Sequence, residues 1–407
     1  MKKDMSYLEK MPIAVLGGGA VGKTVAADCK LAGREVRLYS RSPSSIEGLE
    51  RTGILLDGIQ RNLYCFERSG RAFLDMVSTD MAEAVKGAGL IVIAIPAHAH
   101  EYYLQTLVPL LEDGQVVHIF TDNYASLLLR KYMKEMGCCK DVVIGGWASA
   151  PYGTRIETVG GFRLPHVGVK YRAITLRGAS QPMSDMEAFM ESTKYLPCMD
   201  TVTQGIGPVE GDTILDIGFS NINPVIHVPA SVLGVSAMEN WSCIYGNEPG
   251  TYSLYSHGLC PTVCRIQYQF YEEERAIARA IGIQVPEYSY ESFFSRRSIL
   301  TQEYMGTDEE GKDNVVFPLN QPCDEGNVGP DSIDHRYITE DIPVGCKIYH
   351  DLGVKFGVPT PIIDSMIVLG GAMHETNYFE KSKYNLDYLG IGQMGKEELL
   401  EYLYNGK

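Results

Sequence analysis

Ile13-Ala14-Val15-Leu16-Gly17-Gly18-Gly19-Ala20-Val21-Gly22 decides the fold. Four apolar residues run into a glycine loop, which opens a helical stretch through Thr24-Val25-Ala26-Ala27 that stops at Gly33. Glu35-Val36-Arg37-Leu38-Tyr39 then reads as a second strand. Strand, G-x-G-x-x-G turn, helix and strand in that order form a dinucleotide-binding fingerprint, a much stronger signal than the glycines alone. Gly17 permits the tight turn, Gly19 lets the backbone approach a pyrophosphate, and Gly22 lets the helix pack closely on the strand. Ala20 and Val21 lie at the positive helix N-terminus, where the pyrophosphate sits.

Further buried-strand runs follow. Leu90–Ile95 ends at Pro96, Val116–Phe120 at Thr121-Asp122-Asn123, and Val142–Ile144 at Gly145-Gly146. Continuous apolar runs closed by loop residues suit parallel strands covered on both faces. Helical segments around Tyr103–Leu111 and Leu127–Met136 separate them, and His166–Leu176 reads as an edge strand or hairpin. Near residue 200 the texture changes. Val263, Ile266, Phe270, Ile277 and Ile281 share one face of a helix over about 262–281 by their three- and four-residue spacing. Leu352–Phe356, Ile362–Leu369 and Glu397–Tyr404 also read as helical, and the polar stretch 305–335 as a long surface loop. The expected architecture is α/β followed by all-α: a Rossmann NAD(P)-binding domain over 1–198 and a mostly helical domain over 199–407.

The whole chain bounds the function. Its 407 residues suffice for two cores, and 45% hydrophobic with 21% charged residues is an ordinary globular composition. A net charge of −15 disfavours nucleic acid and anionic membrane as partners. No apolar run is long enough to span a bilayer, and Met1-Lys2-Lys3-Asp4 does not read as a signal peptide. Ten cysteines without a CxxC pair point to reduced thiols in a cytoplasmic protein. His257, Cys260 and Cys264 have ligand-like spacing but no matching fourth ligand, so no metal site is expected.

After the second strand stands Tyr39-Ser40-Arg41-Ser42, where NAD-specific folds place an acid on the ribose. Arg41 with Ser40 suits a 2′-phosphate, which favours NADP(H) over NAD(H). Pro96 and Asn123 end strands at the carboxyl edge of the sheet, where the cofactor is expected. In the second half, Asn223 and His227 are four apart and would project from one helix face. By spacing alone a satisfied core histidine is the better reading. The segment His335-Arg336-Tyr337 through Glu340-Asp341 is, by itself, a solvated charge cluster.

Taken together, these segments resemble the opine dehydrogenase family over nearly the whole chain. The similarity is carried by the glycine loop, Ile95-Pro96-Ala97-His98-Ala99-His100, and Ala150-Pro151-Tyr152-Gly153-Thr154-Arg155. Asn223-Pro224-Val225-Ile226-His227, Pro261-Thr262-Val263, Glu274-Arg275 and Thr360–Ser365 carry it further. Its most specific part is Arg336-Tyr337 with Glu340-Asp341-Ile342-Pro343. Gly153, the segment Gly145–Ser149 and the 305–335 loop with Cys323 depart from the family pattern, and bear on the amino-acid pocket. The resemblance implies NAD(P)H-dependent reductive condensation of an α-keto acid with the amino group of an amino acid. It also implies a catalytic His227–Asp341 pair in a cleft between domains, Arg336 on a substrate carboxylate, and Asn223 and Tyr152 on the substrate side. A monomer or homodimer is expected. The rival readings are an NADP-dependent reductase of a simple keto or hydroxy acid and a non-catalytic NADP-binding redox sensor.

Overall fold

Ile13–Leu16 are fully buried and form the strand from which the rest is laid out. The computed structural model describes residues 4–58, 68–173, 175–293 and 328–407, the side chains of Lys170 and Tyr171 excepted. Among these residues the chain falls into two compact units. One comprises Met1–Ile217 with Glu397–Lys407, and the other takes its residues from Gly218 to Lys396. Residues 305–327 of the expected loop lie outside the described residues.

The strands of the first unit are β1 Ile13–Leu16, β2 Val36–Tyr39, β3 Ile54–Gly58, β4 Gly70–Ala72, β5 Met76–Ser78 and β6 Leu90–Ile93. They continue with β7 Val116–Phe120, β8 Val143–Trp147, β9 Tyr152–Val159, β10 Phe162–Arg172, β11 Thr175–Ser180 and β12 Gly207–Glu210. Eight form one sheet in the order β12-β11-β8-β7-β6-β1-β2-β5, parallel except where β11 meets β8. β1 lies between β2 and β6. The chain therefore leaves β1 first to one side and later to the other, the switch point where such sheets bind ligands at their carboxyl ends. Helices His100–Leu107 and Ala125–Glu135 fall where the sequence placed them.

The stretch His166–Leu176 resolves into two parts. β9 and β10 form a hairpin about Gly160 and Gly161, both with positive φ. β10 also pairs with β3 in a separate four-stranded sheet of order β4-β3-β10-β9. This sheet packs on α1 (Ala20–Leu31), where Thr24 Oγ1 and Thr154 Oγ1 are 2.8 Å apart. Beneath it Asp28 of α1 accepts from Arg68 Nε at 2.9 Å and from Arg172 Nη1 at 2.8 Å.

The expected boundary at 198/199 falls short of the observed division at Ile217/Gly218. β12 adds to the main sheet beside β11, so the α/β unit is not finished at residue 198. The C-terminal stretch also departs from the expectation that 199–407 is one helical domain. Glu397–Lys407 belongs to the first unit, where Gln181 Nε2 donates to Tyr402 O at 3.1 Å and Tyr404 Oη to Asp212 Oδ1 at 2.7 Å.

The second unit is built on α2 (Ile222–Asn240) and α3 (Pro261–Ile281). Asn221 caps α2, its side chain accepting from Asn223 N at 3.1 Å, a cap worth about 1 kcal/mol. α3 starts with Pro261 at its first position, ends at the left-handed Gly282 and buries Val263, Phe270, Ile277 and Ile281 on the face read from spacing. Gln267 joins that face and donates to Ile226 O of α2 at 3.1 Å. α4 (Lys347–Phe356) and α5 (Pro361–Met373) follow. Glu273 of α3 holds the start of α5, accepting from Ile362 N at 2.8 Å and Ile363 N at 3.0 Å.

Candidate active site

The glycine loop has the geometry of a ligand cradle. Gly17 lies at φ +137°, and a Cβ on Gly22 would stand 1.9 Å from Gly17 O, so packing alone demands glycine at both. Gly19 differs. Its φ is −80°, and among the described residues no neighbouring atom lies within 4 Å of where its Cβ would be. None of the described residues requires glycine there, whereas a pyrophosphate drawn against the N-terminus of α1 at Ala20, Val21 and Gly22 would. The residues present therefore fit a bound dinucleotide.

The other expected cofactor residues follow the carboxyl ends of β2, β6 and β7. Ser40 is buried and shares a hydrogen bond with Ser45 Oγ at 2.7 Å. Arg41 is exposed, its guanidinium 5.0 Å above the Tyr102 ring and its backbone N–H on Tyr103 Oη at 3.2 Å. Pro96 follows β6, and Asn123 follows β7 in the left-handed region at φ 43°. Tyr152 sits elsewhere in this unit. It is 2% exposed, packs its ring under Arg172 and puts its hydroxyl 3.5 Å from Asp28 Oδ2. This surrounds Tyr152 with the buried ionic cluster, which is why its expected substrate contact finds no support here.

In the second unit, residues 114 apart in sequence meet. His227 Nδ1 lies 2.8 Å from Asp341 Oδ2, and both residues are 7% exposed. Asn223 lies one turn earlier on α2, half-buried and on the same face. Asp341 comes from the turn between the short helix Arg336–Thr339 and the wide helical turn Ile342–Cys346. Gly345 of that turn comes so close to α2 that a Cβ would stand 2.4 Å from Pro224 Cγ. This close approach helps bring Asp341 within reach of His227.

Burial pushes the Asp341 carboxyl up to about 7, with the Arg336 guanidinium pulling the other way. Arg336 is 58% exposed and pairs with Glu340 Oε2 at 2.9 Å. Two aromatic residues that sequence reasoning missed complete the site. Tyr337 stacks on the His227 ring, centroids 3.6 Å apart and planes 18° from parallel. Tyr255 Oη lies 2.8 Å from His227 Nε2. Tyr337 lies inside the Arg336–Pro343 motif, next to the more conspicuous Arg336. Tyr255 carried no signal in the sequence.

A parallel-sheet dinucleotide unit joined to a helical unit with a buried His–Asp pair defines an NAD(P)-dependent dehydrogenase. Residues 210–374 match the NAD/NADP octopine/nopaline dehydrogenase alpha-helical domain, and residues 12–122 the NAD-dependent glycerol-3-phosphate dehydrogenase N-terminus. An opine dehydrogenase of Arthrobacter sp. (strain 1C) is 25% identical over 391 residues, covering 94% of this chain and 96% of the relative. An octopine dehydrogenase solved with NADH and L-arginine superposes with a TM-score of 0.66 at 17% identity, covering 98% of both chains. A yersinopine dehydrogenase solved with NADP+ gives a TM-score of 0.66 at 14% identity, covering 98% of this chain and 100% of that one. These two structures share the fold. The chain carries the octopine/nopaline dehydrogenase alpha-helical domain and resembles opine dehydrogenases over nearly its whole length, and it is an NAD(P)-dependent oxidoreductase acting on CH–NH groups. No helix among the described residues is long and apolar enough to cross a membrane.

Proposed function

We propose that the protein joins the carbonyl carbon of an α-keto acid to the amino group of an amino acid and reduces the resulting imine to an N-(carboxyalkyl)amino acid. The observation that carries this reading is the His227–Asp341 pair with Arg336 at the start of the segment that supplies the acid. When bound, reduced nicotinamide supplies the hydride.

The chain's own residues do the rest. Ionised Asp341 accepts from His227 Nδ1–H, which fixes the tautomer and stabilises the imidazolium. His227 can then release and take up the protons that amine addition and loss of water require. Arg336 is exposed and always charged. It engages Glu340 on one side, leaving guanidinium donors for a substrate carboxylate. Asn223, beside His227 on α2, provides a short amide to orient the second substrate. At the other end of the cofactor, Ser40 and Arg41 favour NADP(H), since a stacked guanidinium at the end of β2 suits a 2′-phosphate and no acid takes the ribose position.

Cofactor oxidation with keto acid alone, amino acid alone and both together tests the reading. Turnover is expected only with both, with a product mass equal to the two substrates minus one oxygen. Full turnover with keto acid alone would instead make the protein a simple keto-acid reductase.

A further inference from the structure

His227 is enclosed to a degree that a histidine acting directly on substrate does not need. Nδ1 faces Asp341, Nε2 faces Tyr255 Oη, and Tyr337 covers one ring face. Tyr255 is less buried than either member of the pair; it lies on the wide turn Leu254–Gly258, whose start is fixed by Ser253, with Ser256 N donating to Ser253 Oγ at 3.3 Å. An ionised carboxylate can only accept, so with Asp341 ionised Nδ1 carries the ring proton. In the neutral ring Tyr255 O–H then donates to Nε2. Once the ring takes a second proton, Nε2–H donates to the Tyr255 oxygen, and the phenolic hydrogen turns towards another acceptor.

We propose that Tyr255 is the residue that touches the reacting oxygen, and that His227 and Asp341 act on the substrate through its hydroxyl. The proposal rests on the condensation reading above. Addition of the amine to the keto carbon gives a carbinolamine. The Tyr255 hydroxyl gives its proton to the carbinolamine oxygen while the phenolic oxygen takes the proton of His227 Nε2. The carbon–oxygen bond breaks with its electron pair on oxygen, water leaves, and the nitrogen lone pair forms the carbon–nitrogen double bond. One proton is consumed and is restored to the imidazole from solvent. Nothing is oxidised or reduced in this step.

The test compares Tyr255→Phe with the wild type on two substrates: a keto acid with an amino acid, and a preformed cyclic imine carboxylate that has no hydroxyl to expel. A positioned acid contributes about 10²-fold or more, so the variant should lose at least about that much on the pair and less than about 10-fold on the cyclic imine. Equal losses on both, or a variant within about 3-fold of wild type on the pair, overturn the relay; the second result would make Tyr255 a residue that the substrate displaces. The ¹⁵N resonance of His227 Nε2 in the ligand-free protein gives a reading independent of turnover. It should move on Tyr255→Phe, and an unmoved resonance overturns the proposal. Wild-type turnover with keto acid alone overturns the condensation reading, whereas wild-type condensation matched by Tyr255→Phe overturns the relay alone.

Discussion

Asp28 and Asp341 are buried carboxyl groups, one in each unit, and their partners suit them to opposite tasks. Asp28 is held between Arg68 and Arg172, and Arg68 reaches on to Asp200 Oδ2 at 2.6 Å. Guanidinium does not give up its proton in a protein, so Arg68 and Arg172 can lock α1 to the small sheet but offer Asp28 no proton to exchange. Asp341 faces an imidazole, a ring that can carry one proton or two. Burial is common to both. What separates a lock from a proton-handling site is whether the partner can titrate.

The largest effect that could break this contrast comes from removing one charge from each. Asp341→Asn should lower kcat by about 10³-fold or more, some 4 kcal/mol, because Nδ1 loses its anionic acceptor. Cofactor affinity, followed by fluorescence titration, should stay near the wild-type value. Asp28→Asn leaves buried guanidinium charge under-compensated and should cost about 3–5 kcal/mol of stability. Activity per folded molecule should remain within a few-fold. Full turnover by Asp341→Asn, or a folded but inactive Asp28→Asn, would show that the two acids do not divide as their partners suggest.

A smaller effect is read in pH. Burial raises the Asp341 carboxyl from 3.8 to about 7, so between these values the folded state holds a proton that the unfolded chain has released. Its contribution to stability is therefore full below about pH 4 and lost as pH rises through about 7. Urea denaturation of wild type and Asp341→Asn at pH 5 and pH 8 measures it, and the wild type should lose ground to the variant at the higher pH. Turnover has the opposite sign, because only ionised Asp341 supports the imidazolium, so kcat should climb through about pH 7. A stability difference independent of pH would mean that Asp341 is not a raised acid.

The same contrast explains what the sequence could disclose. The glycine loop, the parallel strands and the apolar face of α3 are local patterns, written within twenty or so residues, and each is where it was expected. Asn223 and His227 share a helix face for the same reason. Periodicity says which face is buried but not which distant segment covers it. Hence spacing favoured an inert core histidine at 227, and only the resemblance coupled it to Asp341. The Asp28 cluster and Tyr255 Oη against His227 are likewise meetings between distant segments. The β3–β10 pairing joins two excursions from the main sheet, so of the two readings of His166–Leu176, edge strand or hairpin, β10 takes the hairpin with β9 and is interior to the smaller sheet.

The smallest effect concerns a third always-charged group. Arg41 shares with Arg68 and Arg172 a charge that cannot be removed by pH, yet it is exposed and lies over the Tyr102 ring instead of in a buried carboxylate cluster. Water screens an exposed charge, so a contact with a 2′-phosphate would be worth far less than the buried pairs, about 1.4 kcal/mol or a tenfold change in Kd. Arg41→Ala should therefore weaken NADPH by about tenfold, leave NADH within about twofold, and keep the thermal midpoint unchanged. Each cofactor titrated separately by fluorescence decides the matter. Equal losses would mean that Arg41 steadies the adenine end through stacking alone, and the case for a 2′-phosphate clamp would go with it. A loss confined to NADPH would show that a permanent cation, which forms a lock when buried against carboxylates, reads a ligand's phosphate when left at the surface.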